Sequence, residues 1–151
     1  MASWKSIVCG VDSGRGCVEA VRAAARIARE QSATLVLLHV VKRATGEALL
    51  APGAIAAARE EQAARWSGLA SDLRGEPVPL EAMAGEPADG ILEYARKGGC
   101  DLIVLGSHAR SRASLALTSL VLEVLAHAPC QVLIVPPGTE DLQSDFPGQV
   151  A

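Results

Sequence analysis

The chain has 151 residues, a formal charge of -3 at pH 7 and an apolar content of 50%. This length suits one domain with a real core, and a nearly balanced charge without a basic run argues against nucleic acid as the default partner. The first residues lack the pattern of a signal peptide, and no apolar run has membrane-spanning length, so we expect a cytoplasmic protein that does not contact a membrane.

Apolar patterning predicts that strands and helices alternate along the chain. Aromatic residues make up only 3% of the sequence, so small aliphatic residues must form the core, as in parallel sheets covered by helices. In chain order we predict a strand at 5–11, a helix at 17–31, a strand at 34–41, a helix with its apolar face over 55–73, a strand at 78–84, a helix that begins within 85–89 and stops at Gly98-Gly99, a strand at 101–105, a helix at 114–127 and a strand at 131–135.

This alternation is typical of right-handed βαβ units. It predicts an α/β fold with a single doubly wound, five-stranded parallel sheet in the order 3-2-1-4-5 and with four helices. Residues 1–137 are expected to form this domain, and the polar segment 138–151 is expected to be a flexible tail.

Four cysteines are spread along the chain without a C-x-x-C pair, which argues against a zinc site or a dithiol motif. We expect free thiols in a reducing compartment. Thiol-based redox sensing would need an exposed cysteine of low pKa, and Cys17, close to Arg15 at a helix start, is the one plausible position.

Two residues mark a candidate ligand crevice. In an open parallel sheet of this order, ligands bind beyond the carboxyl ends of the strands where the winding reverses. Asp12 follows the first strand and Gly106 follows the fourth. A carboxylate there accepts from ribose hydroxyls or a base amine, and a glycine admits a ligand close to the backbone. The alternative role for Asp12 is that of an ordinary turn cap.

Five segments, taken together in their order and spacing, resemble the universal stress protein family over residues 5–137. They are 7–13, 39–41, 85–87, 101–108 and 127–136. The resemblance implies a five-stranded parallel α/β sheet, a homodimer and a role in surviving stress rather than a metabolic reaction.

Some members of that family bind ATP through Gly, two residues, Gly, nine residues, then Gly with Ser or Thr. Gly106 matches the first glycine and Ser119 keeps the hydroxyl, whereas Ala109 and Thr118 replace the other glycines and the interval 110–117 is one residue short. Side chains and a shorter loop redirect the N–H donors of a phosphate nest. The crevice is therefore expected to be degenerate for a triphosphate.

Seven residues are predicted to contact a ligand, with ATP or AMP as the nucleotide that the resemblance implies. They are Asp12, Ser13, Val41, Gly106, His108, Arg110 and Ser119. Arg110 and Arg112 either contact phosphate or form a solvated loop face, and His108 in a loop without a paired carboxylate is more often solvated.

The main hypothesis is a homodimeric binding or adaptor module for an unknown client protein, without catalytic residues or a metal. The alternative is an ATP-binding switch with slow or no ATPase activity. The predicted dimer contact is the apolar last strand, at the edge of the sheet and without a gatekeeping charge, which invites pairing with another chain. It comprises Val132, Leu133, Ile134 and Val135.

Overall fold

The computed structural model describes residues 3–12, 17–42, 51–107 and 119–138. Within these ranges the elements are β1 Ser6–Gly10, α1 Cys17–Gln31, β2 Thr34–Val41, α2 Ala54–Arg74, β3 Leu80–Ala84, α3 Pro87–Lys97, β4 Leu102–Gly106, α4 Ser119–His127 and β5 Gln131–Val135. The strands pair in parallel in the order β3-β2-β1-β4-β5. The predicted fold class and strand order are confirmed. Residues 114–118 of the predicted fourth helix and 139–151 of the predicted tail lie outside the described residues.

The sheet separates two apolar layers. Alternate residues of β1 serve opposite faces, so that Ile7 and Cys9 pack in the layer with α1 and α2, and Val8 packs in the layer with α3 and α4. This is the period of two that a strand imposes on its side chains. A strand that is buried on both faces is therefore a continuous apolar run in the sequence, and such runs predicted these strands.

The first helix packs closely on the sheet because its inner face is built from alanine. Ala20, Ala24 and Ala28 are fully buried at helical spacing. Their small side chains let the helix axis approach the sheet. The low aromatic content of the sequence is matched by this packing.

Strands β1, β3 and β4 differ from their predicted bounds by one or two residues at an end, and for the starts of β3 and β4 the hydrogen bonds give the reason. Residue 78 was expected to start β3, but the Val78 N–H donates to Ser71 Oγ at 3.0 Å, and Pro79 has no N–H to donate. The Pro79 carbonyl does accept from the Leu37 N–H at 3.0 Å. Regular pairing therefore begins at Leu80.

Asp101 is not the first residue of β4, as predicted, but makes hydrogen bonds to the amino end of β1. Its carboxylate accepts from the Lys5 N–H at 2.9 and 3.1 Å and from the Ser6 N–H at 3.1 Å, and its own N–H donates to the Ser6 carbonyl at 2.9 Å. β4 then runs from Leu102 to Gly106 and is buried along its whole length.

Helix α2 ends as its sequence predicts. Gly75 adopts a left-handed conformation with φ of 84°, and its N–H donates to the Ser71 carbonyl, the usual glycine stop. In the part of the chain that the structure describes, no helix is both long and apolar enough to cross a bilayer.

Candidate functional site

A cleft opens at the carboxyl ends of β1 and β4, the point at which the winding of the sheet reverses. Its described lining combines the ends of these strands with two residues of β2, the first turns of α3 and one residue of α4. These residues are Gly10, Val11, Asp12, Leu38, Val40, Pro87, Ile91, Leu105, Gly106 and Leu120. The two residues expected there, Asp12 and Gly106, do lie together.

Gly10 is required by the packing at the bottom of this cleft. An added Cβ would lie 2.8 Å from Leu105 Cδ2 and 3.3 Å from Ile91 Cδ1. Gly10 also lines the cleft, and its missing side chain leaves room for the side chains of Leu105 and Ile91.

The cleft is mostly apolar, with one carboxylate at its rim. Val40, Ile91 and Leu120 supply apolar side chains from three different elements, and Asp12 is the charged residue among the described lining. Such a surface fits a flat heterocycle against the aliphatic side chains, with a hydrogen-bonding group directed at the carboxylate.

The end of β1 is held by side chains from three other elements. The Trp66 indole N–H of α2 donates to the Asp12 carbonyl at 3.0 Å, and His39 Nδ1 of β2 donates to the Val11 carbonyl at 3.0 Å. The Asp12 N–H donates to Cys17 Sγ, and the Cys17 thiol donates to Asp12 Oδ1, both at 3.3 Å. Asp12 is thus fixed through its N–H, its carbonyl and its carboxylate.

Cys17 does not fit the redox hypothesis. Its side chain is 0% exposed, and burial, followed by the neighbouring Asp12 carboxylate, raises the pKa of its thiol far above the ordinary value. Burial likewise raises the pKa of Cys9 to about 12 and also raises the pKa values of Cys100 and Cys130. Because the thiolate is the reactive form, the exposed low-pKa cysteine that redox sensing needs is contradicted at Cys17. All four cysteines lie in described residues, and none is in a disulfide.

The backbone beyond β4 is partly committed to the neighbouring strand. Gly106 pairs with Val135 of β5, and the N–H of Ser107 donates to the Val135 carbonyl at 3.0 Å. That N–H is the first after the glycine and would be a natural donor to phosphate. It is instead part of the sheet.

The remaining predicted ligand residues are placed as follows. Val41 is half-buried and its carbonyl accepts from the Gly85 N–H at 3.0 Å, while its neighbour Val40 lines the cleft. Ser119 is exposed at the beginning of the described part of α4. The predicted residues Ser13, His108 and Arg110 lie outside the described residues, as does Arg112.

Sequence reasoning missed the apolar walls. Pro87 begins α3 and Ile91 belongs to its buried face, and the sequence pattern did not show that both also line the cleft. The available signal was topological, because a helix that follows a strand beside the crossover point must pass over the crevice. No group of His, Cys, Asp and Glu in the described ranges is arranged to hold a metal ion.

Comparison with known proteins is decisive for the family. The family model described as "Universal stress protein family" matches residues 3–136. The chain belongs to this family. The resemblance seen in the sequence is thereby confirmed, and it covers nearly the whole described domain.

Individual proteins that are similar to this chain are also universal stress proteins. A universal stress protein of Methanocaldococcus jannaschii is 30% identical over 87% of this chain and 82% of its own length. The structure of the universal stress protein UspA from Lactobacillus plantarum is 27% identical, with a TM-score of 0.74 over 89% of this chain and 99% of that chain. These coverages indicate that the family domain is matched from end to end.

One of the similar structures was determined with cAMP. It is titled as a universal stress protein in complex with cAMP, and it is 24% identical with a TM-score of 0.68 over 91% of this chain and 100% of that chain. At this identity the likeness establishes the shared fold.

Proposed function

We propose that the protein is a homodimeric binding or adaptor module of the stress response, whose cleft accepts the nucleoside part of an adenine nucleotide but forms no strong triphosphate cradle. The observation that carries this proposal is the composition of the cleft, whose described lining has aliphatic walls and one charged side chain, the carboxylate of Asp12. A ribose hydroxyl or a base amine donates to Asp12, and the heterocycle packs against Val40 and Ile91.

Electrostatics support the nucleoside end of the ligand rather than the phosphate end. The Asp12 carboxylate repels phosphate oxygens, and the Ser107 N–H is already bonded to β5. Ala109 and Thr118 stand in the sequence where glycines would let N–H groups converge. The cAMP complex of a protein with the same fold supports an adenine ligand with a single phosphate.

Calorimetric titration with adenosine, AMP and Mg-ATP tests this proposal. We expect AMP to bind and Mg-ATP to bind no more tightly than AMP, because the additional phosphates find few donors. Asp12→Ala should weaken the binding of both adenosine and AMP, since both share the group that donates to Asp12. As a control, Glu60→Ala on the exposed face of α2 should leave binding unchanged.

Two outcomes would contradict the proposal in different ways. Mg-ATP that binds tenfold or more tightly than AMP would favour the ATP-binding switch, for which ATP hydrolysis would then be measured. A wild-type protein that shows no heat or displacement with any of the three ligands would leave an adaptor without a nucleotide site.

The dimer contact proposed here is the outer edge of β5. In the sheet of the described residues, β5 is the last strand in the order, and residues 132–135 are only partly buried within one chain. Leu122 and Leu125 of α4 are 54% and 44% exposed, and α4 packs in the same layer as Val132 and Ile134 of β5. A two-fold contact at β5 would satisfy the strand edge in both copies.

Sedimentation velocity tests this contact. Leu133→Lys places a charge in the contact and should convert the dimer to a monomer that keeps the wild-type helical content. Ala56→Lys on the exposed face of α2 is the matched control and should remain dimeric. A Leu133→Lys protein that sediments as the wild-type dimer would refute the assignment to β5.

A further inference from the structure

The end of β1 is fixed from the layer behind the sheet, away from the cleft. Cys17 and Trp66 belong to the apolar layer with α1 and α2, whereas the cleft walls Leu38, Ile91 and Leu105 belong to the layer with α3 and α4. Neither Cys17 nor Trp66 is among the described residues that line the cleft. Both residues do contact Asp12, which is among the described residues that line it.

Trp66 acts on the backbone of Asp12. Its indole is 4% exposed, and its N–H is shared between the Asp12 carbonyl and Gln62 Oε1, each at 3.0 Å. Gln62 is itself 2% exposed and lies one turn earlier on the same helix. The Gln62 oxygen and the Asp12 carbonyl, which lies 54 residues from Trp66 along the chain, thus both accept from the one buried indole N–H.

Cys17 acts on the Asp12 side chain. Burial and the adjacent carboxylate raise the pKa of Cys17 well above its ordinary value. The thiol therefore stays protonated and donates a hydrogen bond to Asp12 Oδ1. A thiolate at the same place would repel the carboxylate. The protonated sulfur also accepts from the Asp12 N–H, so that one side chain fixes both the backbone and the carboxylate.

We propose that Cys17 and Trp66 are positioning residues that orient the Asp12 carboxylate toward the ligand in the cleft. This inference rests on the proposed function for its ligand, which is the adenine nucleoside group, but the orientation of Asp12 exists without ligand. The two layers of the fold thereby have separate roles, one contacting the ligand and the other setting the geometry of its acceptor.

Conservative variants separate positioning from general stability. Cys17→Ala removes the donor, while Cys17→Ser keeps a donor and an acceptor of similar size. Trp66→Phe removes the N–H together with the five-membered ring of the indole. Trp4→Phe is the control, because it makes the same chemical change at the opposite end of the sheet, where the Trp4 N–H donates to Gln131 Oε1 at 2.8 Å.

AMP affinity is measured by calorimetry for these variants. Loss of one hydrogen bond corresponds to about a fivefold weaker affinity, which we expect for Cys17→Ala and Trp66→Phe. Cys17→Ser should stay close to wild type, and Trp4→Phe should not change. In an Asp12→Ala background, Cys17→Ala should weaken binding no further, whereas an effect through general stability would persist.

A measurement without ligand makes the result independent of the proposed function. The amide and carboxyl resonances of Asp12 in NMR spectra should shift or broaden in Cys17→Ala and Trp66→Phe, and remain near wild type in Cys17→Ser and Trp4→Phe. If Trp66→Phe does not fold, the two Cys17 variants decide the question.

The outcomes separate the two ideas. Wild-type AMP affinity in Cys17→Ala and Trp66→Phe overturns the positioning roles and leaves the proposed function intact. A wild-type protein that binds no nucleotide overturns the proposed function, and the NMR spectra then decide the positioning roles. Unchanged Asp12 resonances in Cys17→Ala and Trp66→Phe overturn these roles, and perturbed resonances support them.

Discussion

Replacement of Gly10 by alanine would place a methyl group against two side chains that line the cleft. The new Cβ would lie 2.8 Å from Leu105 Cδ2 and 3.3 Å from Ile91 Cδ1. At 2.8 Å a real contact does not persist, so both side chains must move. Because they also line the cleft, the space open to them is the space that a ligand would occupy.

Overpacking of this kind costs about 1 to 3 kcal/mol. Here the displaced atoms are side-chain ends beside an open cleft rather than backbone, so we expect a loss of about 1 to 2 kcal/mol, in the lower part of that range. Urea denaturation followed by circular dichroism measures this loss as a lower transition midpoint at an unchanged m-value. AMP affinity should also fall, since Leu105 and Ile91 are pushed into the cleft.

Gly68→Ala is the matched control for the Gly10 substitution. Gly68 lies inside α2, is exposed and has no heavy atom within 4 Å of an added Cβ. Alanine should stabilise the protein there by about 0.5 to 1 kcal/mol through its helix propensity. A Gly10→Ala protein at least as stable as wild type would refute the packing argument, as would a shift of both variants in the same direction.

Three further substitutions probe other parts of the fold. Asp101→Ala should lower the free energy of unfolding by about 1.5 to 2 kcal/mol, because its carboxylate accepts from the N–H groups of two residues at the start of β1. Thr34→Val removes one exposed hydrogen bond and should lower the free energy of unfolding less. Equal losses in the two variants would contradict the role given to Asp101. Gly90→Ala should destabilise by about 1 to 3 kcal/mol despite the better helix former, since the Cβ would lie 2.8 Å from Val40 Cγ2; a gain in the urea midpoint would be inconsistent with the clash. Burial raises the pKa of Cys9 from 9.0 to about 12, so its neutral thiol contributes stability that is complete below pH 9 and is lost as pH rises toward 12. In denaturation curves from pH 8 to 11, the free energy of unfolding should therefore fall less steeply with pH in Cys9→Ala than in the wild type. The same dependence on pH in both proteins would exclude this thiol as the cause.

The sheet was predictable because burial on both faces leaves a direct mark in the sequence. A strand such as β4 must be apolar at every position, and a short continuous apolar run between turn residues is easily recognised. The location of the crevice followed from the same information. Once the strand order is known, Asp12 and Gly106 must lie near each other, because the carboxyl ends of neighbouring parallel strands meet at one edge of the sheet.

The side chains around the crevice could not be predicted in the same way. Whether Val40 or Val41 of β2 faces the cleft depends on the register of alternation, in which one residue reverses the face. The contribution of Ile91 depends on the rotation of α3 about its axis, which distant packing decides. Cys17 was expected near a reactive helix start, but sequence neighbours do not reveal that the first turn of α1 is buried beneath the end of β1.

The hydrogen bond from the Ser107 N–H to the Val135 carbonyl connects the cleft with the edge of the sheet. It joins the backbone at the mouth of the cleft to the last residue of the outermost strand. A second chain that paired with this strand would extend the sheet, and both mouths would then belong to one continuous hydrogen-bonded structure. If occupancy of a cleft changes the association constant of the subunits by some factor, association must change the affinity of the cleft for its ligand by the same factor. The oligomeric state of the protein would then itself report on what the cleft contains.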